Sequence, residues 1–111
     1  KSQKNYILVS FNAEILGVVD YITGYPKRNT VFIGLFIIKN NKHRQGFGRK
    51  IFNYLEDLFK SEGFLKIRLG VITDNEIGFS FWKKQNFKEI ERKVLKFGNS
   101  EKEVIVMEKK I

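Results

Sequence analysis

Apolar residues recur along the chain in two rhythms, every second position or every third to fourth, and the switches between them mark the elements. Tyr6 to Phe11 (Y-I-L-V-S-F) and Ile15 to Ile22 (I-L-G-V-V-D-Y-I) read as strands joined through the short polar connection Asn12-Ala13-Glu14. Thr23 to Asn29, with Gly24 and Pro26, is a loop. Val31 to Ile38 is apolar everywhere except Gly34, the pattern of a strand covered on both faces. After a basic, glycine-containing turn, Ile51, Leu55, Leu58 and Phe59 fall at i, i+4, i+7 and i+8 on one face of a helix. Gly63 suits the left-handed residue that closes it. Lys66 to Ile72 sets Ile67, Leu69 and Val71 against Arg68 and Gly70, a further strand, which the intervening helix predicts to be parallel to the strand at 31–38. Thr73-Asp74-Asn75-Glu76 fits a capping box with Thr73 and Glu76 reciprocal. It opens a helix running to Gln85 that turns Ile77, Phe81 and Trp82 inward, with Asn86 as its left-handed exit. Phe87 to Phe97 and Lys102 to Lys109 alternate and join across Gly98-Asn99-Ser100 as an antiparallel hairpin.

The pattern predicts a mixed, mostly antiparallel α/β sheet with two helices and a central parallel β-α-β pair, in one domain spanning residues 1–111. At 111 residues the chain supports one core rather than two, and 42% hydrophobic residues with a single proline mark it as globular. The absence of cysteine removes disulfides and thiolate chemistry and suits a reducing cytoplasm. With one histidine and no cysteine, a zinc site of the His/Cys type is disfavoured, and no metal is expected. The longest apolar run, Val31 to Ile38, is too short to span a bilayer, so no membrane partner is expected.

Charge narrows the partners. The chain carries +9, from 21 Lys and Arg against 12 Asp and Glu, which invites an anion: a phosphorylated cofactor, a nucleic acid or an acidic substrate. Lys39, Lys42, Arg44, Arg49 and Lys50 crowd the turn between the 31–38 strand and the following helix. Gly46 and Gly48 let the backbone there approach a ligand, and helix-opening amides at the positive end of a helix dipole make an anion site. An ordinary tight turn is the competing reading. A Walker loop is absent, and a Rossmann fingerprint would need glycine where Ile51 stands. The RNA-recognition strand signature fails at Arg49 and Lys50.

H-R-Q-G-F-G at residues 43–48 resembles the Q/R-x-x-G-x-G/A pyrophosphate loop of the GNAT acetyltransferase superfamily. Residues 75–87, N-E-I-G-F-S-F-W-K-K-Q-N-F, resemble its N-x-x-A-x-x-F-Y-x-x-x-G-F block, and the closing V-I-V-M-E-K-K-I is similar to its last strand. The resemblance implies the GNAT-like acyl-CoA N-acyltransferase fold. It also implies that N-terminal elements of that fold are lacking, a reading reinforced by the start on Lys1 rather than methionine.

The implied activity is transfer of acetyl from acetyl-CoA, the cosubstrate, to a primary amine of a small molecule or peptide by direct attack. Amides of Arg44, Gln45, Gly46, Phe47, Gly48, Arg49 and Lys50 would cradle the pyrophosphate, with His43 at the Q/R position. Phe36, Ile37 and Ile38 would form the edge along which pantetheine lies. The Phe36 amide would be the oxyanion donor, Asn75 would bond the pantetheine arm, and Phe81 and Trp82 would flank it. Trp82 stands where the family often has tyrosine, and indole cannot act as an acid. Phe32 occupies the place of the glutamate base of some members. Asp20, amid an apolar run, is then the candidate base, with Tyr21, Tyr25 and Tyr54 as further acids. Two alternatives stay open: a CoA-binding module without efficient catalysis, and a basic nucleic-acid-binding domain, the latter disfavoured. A bare sheet edge would invite a homodimer. The acceptor is not legible.

Overall fold

The computed structural model describes residues 2–39 and 46–111, without the side chain of Phe11. Its elements run β1 (Gln3–Phe11), β2 (Glu14–Thr23), β3 (Thr30–Ile38), α1 (Phe47–Ser61), β4 (Lys66–Ile72), α2 (Glu76–Lys84), β5 (Lys88–Phe97) and β6 (Ser100–Lys110). They form a mixed six-stranded sheet in the order β1-β2-β3-β4-β6-β5, parallel only between β3 and β4. The predicted α/β class, the central parallel pair and both helices are therefore present.

Turn chemistry sets the hairpins. Asn12 and Ala13 both take positive φ, 51° and 65°, as a two-residue turn between right-twisted strands requires. Both helices end alike: the amide of Gly63 bonds Lys60 and that of Phe64 bonds Phe59, while Asn86 bonds Lys83 and Phe87 bonds Trp82. The left-handed residues, Gly63 and Asn86, stand where the sequence placed them.

The core lies on one face. Val19 and Tyr21, Val31 and Ile33, Ile67, Leu69 and Val71, and Ile105 and Met107 are each two residues apart, and meet Phe52, Leu55 and Phe59 of α1 and Trp82 of α2. Both helices thus cover the same side of the sheet. Phe52 sits at the centre, fully buried, with its ring 5.5 Å edge-on to both Trp82 and Phe87. Its truncation to alanine would cost about 3–5 kcal/mol. Glu56 and Lys109 tie α1 to β6 through a 3.0 Å ion pair, and the Lys109 ammonium lies 5.4 Å from the Phe52 ring centre.

The expectation that β3 is covered on both faces is corrected: Ile37 is 53% exposed, and Phe32 and Leu35 are only half-buried. Among the described residues no helix packs on that second face, so its apolar side chains meet solvent or one another. Ile77, expected to point inward, is 84% exposed. The Thr73–Glu76 capping box is not formed, because Asn75 stands one residue nearer and its Oδ1 accepts from the Gly78 amide at 2.9 Å.

Candidate active site

Two breaks in otherwise regular structure coincide. The first is between β3 and β4, whose pairing runs from Thr30↔Lys66 only to Ile33↔Leu69. Beyond that point β4 continues beside β6 alone and β3 beside β2 alone, so the two parallel strands part. An extra residue, Gly34, interrupts β3 here, since Asp20 pairs with Leu35 while Tyr21 pairs with Ile33. The Lys39 amide bonds Leu16 of β2 at 2.7 Å. Alternate residues of a strand present their backbone groups to the same side, so Ile37 and Leu35 also turn to β2. By the same alternation the backbone groups of Phe36 and Ile38 turn to the opening. The Phe36 amide thus points toward the opening rather than toward β2.

The second break is the start of α1. Its N-cap is Gly46 at φ 75°, which has no side chain to close the turn, and no acidic residue stands in the first turn. The helix begins with the Lys50 amide on Gly46 O at 3.2 Å. By contrast, α2 is capped by Asn75 and carries Glu76 in its first turn. No acid in the helix's own first turn offsets the positive end of the α1 dipole, and Arg49 and Lys50 add to it.

Between the breaks lies an open cleft of about 460 Å³, a size suited to a small-molecule site. Phe36 and Ile38 form one wall, Gly46, Gly48 and Arg49 the end, and Asn75, Phe81 and Trp82 the other wall. The Phe81 ring lies 5.8 Å from that of Phe36 and 4.8 Å from that of Trp82. A Cβ placed on Gly48 would stand 3.2 Å from Phe81 Cε1. The missing side chain lets the helix start and the aromatic wall close on each other. Asn75, a lining residue, has its Oδ1 engaged by the Gly78 amide, which leaves Nδ2 as its donor group.

The structure therefore brings together Phe36, Ile38, Gly46, Gly48, Arg49, Asn75, Phe81 and Trp82. Trp82 is 7% exposed and serves mainly the core. Ile37 faces away, on the uncovered side of the sheet, while Phe47 and Lys50 sit in the first turn outside the lining. His43, Arg44 and Gln45, with Lys42, lie outside the described residues. Sequence reasoning missed Ile77, Gly78, Lys84 and Gln85, which also line the cleft. With Phe81 they fall at i, i+1, i+4, i+7 and i+8, a helical stripe shared between core and cleft.

The tyrosines are distributed otherwise than expected of acids at this site. Tyr21 is buried 4.9 Å from the Phe59 ring, and burial, then the charges of Glu62 and Tyr54, push its phenol up. Tyr25 packs edge-on against Phe32 at 5.7 Å, and Tyr54 is 62% exposed on α1, not packed. Asp20 stands on the uncovered face, beside the Gly34 bulge.

Comparison with known proteins agrees with this architecture. The family model described as Acetyltransferase (GNAT) family matches residues 1–87, and the chain belongs to that family. An acetyltransferase structure from Thermus thermophilus superposes with a TM-score of 0.79 at 18% identity, covering 98% of this chain and 65% of that one. The ribosomal-protein-S18-alanine N-acetyltransferase of Escherichia coli gives 0.82 at 15% identity, with 97% and 69% covered. Ard1 from Thermoplasma volcanium gives 0.85 at 21% identity, with 96% and 70% covered. These likenesses establish the GNAT fold, and the chain spans about two thirds of the length of those structures. No curated protein matches it.

Proposed function

We propose that the chain binds acetyl-CoA in the cleft between β3 and β4 and transfers its acetyl group to a primary amine. The observation that carries this is the uncapped, acid-free start of α1 opening into an aromatic-walled cleft beside parted strands. The residues fit the cosubstrate part by part. Amides of Gly48 and Arg49 and the Arg49 guanidinium suit a diphosphate. The apolar walls of Phe36, Ile38 and Phe81 suit a narrow, largely uncharged arm, and Asn75 Nδ2 offers it a hydrogen bond. The Phe36 amide suits the carbonyl oxygen as negative charge develops on it. One such donor is worth about 2.7–4 kcal/mol in other enzymes.

Acetyl-CoA supplies an activated thioester: the amine nitrogen forms the C–N bond, the C–S bond breaks, one proton leaves nitrogen and the sulfur leaves as thiolate. The fold neighbours include an alanine N-acetyltransferase, in keeping with an amine acceptor. A cytoplasmic setting belongs to the same reading, and among the described residues no helix is long and apolar enough to cross a membrane.

Titration calorimetry with CoA tests the donor. Low-micromolar binding that weakens more than tenfold in Arg49→Glu is expected, and unchanged affinity in that variant would refute the assigned cleft. The second reading, binding without efficient turnover, is favoured by Trp82 and Phe32 in place of an acid and a base. It predicts CoA affinity with no thiol release across a broad amine panel.

A further inference from the structure

The sheet face without helices carries one carboxylate whose surroundings differ from every other acid described. Asp20 lies between Val18 and Ile22 on its own strand, opposite Tyr6 of β1 and Leu35 of β3. The residues beside and directly opposite it on that face are thus apolar or aromatic, and the one cation diagonal to it on β1, Lys4 opposite Ile22, makes no ion pair with it. The other acid near the middle of this face, Glu108, is held by Arg68 at 2.8 Å and approached by Lys66 at 3.9 Å. Asp20 makes no ion pair or hydrogen bond among the described residues, in a chain with nine more cationic than anionic side chains. Half-buried, it is left without a cationic partner among the described residues.

Its place relative to the cleft is set by the bulge. A Cβ on Gly34 would collide with Asp20 Oδ1 at 2.6 Å, so the carboxylate occupies the space that any other residue there would fill. Gly34 is the first residue of β3 past the last β3–β4 pair, at the mouth of the opening. The carboxylate therefore borders the parted strands from the side opposite the helices, whereas the cleft approaches them from the helix side. An acyl group seated between β3 and β4 is walled on the helix side by Phe36, Phe81 and Trp82, which leaves the Asp20 side for a nucleophile.

We infer that Asp20 anchors a cationic acceptor, pairing with the ammonium of an alkylamine on the uncovered sheet face beside Gly34. This rests on the donor reading above. A carboxylate is a far weaker base than an alkylamine, so the pair orients the ammonium; one proton must leave to solvent to free the nitrogen lone pair before attack, and the second follows to solvent once the C–N bond has formed. Asp20 is then a specificity residue. Cationic alkylamines are accepted, and neutral acceptors without an ammonium lose the contact.

Two CoA thioethers test this without turnover and without knowledge of the acceptor: S-(2-aminoethyl)-CoA, which puts an ammonium beyond the sulfur, and S-propyl-CoA, its neutral counterpart. The wild-type chain should bind the aminoethyl compound at least tenfold more tightly by calorimetry. Asp20→Asn should abolish the preference while keeping S-propyl-CoA affinity within twofold, and Asp20→Glu should retain part of it. Gly34→Ala, whose methyl must displace the carboxylate, should reduce the preference as Asp20→Asn does. Equal binding of both compounds by the wild type, or a preference that survives in Asp20→Asn, would overturn the anchor and leave the donor site standing. Failure of the wild type to bind S-propyl-CoA or CoA would bring down the donor reading itself, and this inference with it.

Discussion

Gly48→Ala separates the needs of the fold from those of the cleft. The added methyl would stand 3.2 Å from Cε1 and 3.4 Å from Cζ of Phe81, and 3.9 Å from Cγ1 of Ile38. The last is ordinary contact; the first requires the Phe81 ring to yield by a few tenths of an ångström. Two stability effects then oppose each other. Replacing a helical glycine by alanine gains up to about 1 kcal/mol, and less in a first turn. Turning the ring off its rotamer well costs about 0.5–1.5 kcal/mol. The net change should stay within about 1 kcal/mol, a melting shift of about 4 °C or less for a domain of this size.

The cleft has no such compensation, because the yielding ring is one of its walls and the methyl lies beside the helix-opening amides. A tenfold loss of CoA affinity, about 1.4 kcal/mol, is expected from Gly48→Ala, and a larger loss from Gly48→Val, which adds two further carbons. Calorimetry with CoA at 25 °C and thermal unfolding of the same samples read the two effects apart. A variant that melts as predicted yet binds CoA within twofold of wild type would refute the assignment of this corner.

Other expectations follow from single features. Gly46→Val should weaken CoA binding more than tenfold and cost about 1–2 kcal/mol, since a side chain at φ 75° is strained whatever the space; Gly46→Asn should be milder on both counts. Glu56→Gln should lower stability by roughly 1–3 kcal/mol in chemical denaturation, because it leaves Lys109, 15% exposed, without its 3.0 Å partner. Tyr21 gives a pH signature. Its folded-state pKa is raised by burial, so its contribution is intact below the ordinary phenol value and is lost as pH rises through the folded one. Tyr21→Phe should therefore resist alkaline unfolding better than wild type above pH ~10 and differ little at neutral pH. Ile77→Ser should leave stability within about 0.5 kcal/mol while weakening CoA binding several-fold, as befits a residue 84% exposed at the cleft rim.

The features legible in the sequence are those governed by local chemistry. Alternation placed every strand to within a few residues, and Gly63 and Asn86 announced helix ends because few residues tolerate their backbone. The glycine-opened start of α1 was legible for the same reason, a glycine before a helical periodicity being a local pattern. What depended on tertiary context was not. Ile77 carries a core-like side chain at a core-like spacing, yet α2 divides one stripe between the sheet and an open cleft. Phe52 was passed over because α1 buries a face wider than a four-residue repeat describes. Thr73 and Glu76 satisfy the spacing of a capping box, but Asn75 makes the bond from closer at hand. No spacing rule could reveal that Asp20 owes its position to a glycine on another strand.

That glycine has one more effect. By inserting a single residue, Gly34 reverses which side chains of β3 look toward the helices: Val31 and Ile33 before it, Phe36 and Ile38 after it. Were Gly34 instead to take an ordinary place in the alternation, with no bulge, the outer half of the strand would turn over. It would line the cleft with Leu35 and Ile37 and aim the Phe36 amide at β2. The frame of one strand, kept out of step by a residue with no side chain, decides on which side of the sheet the chemistry happens.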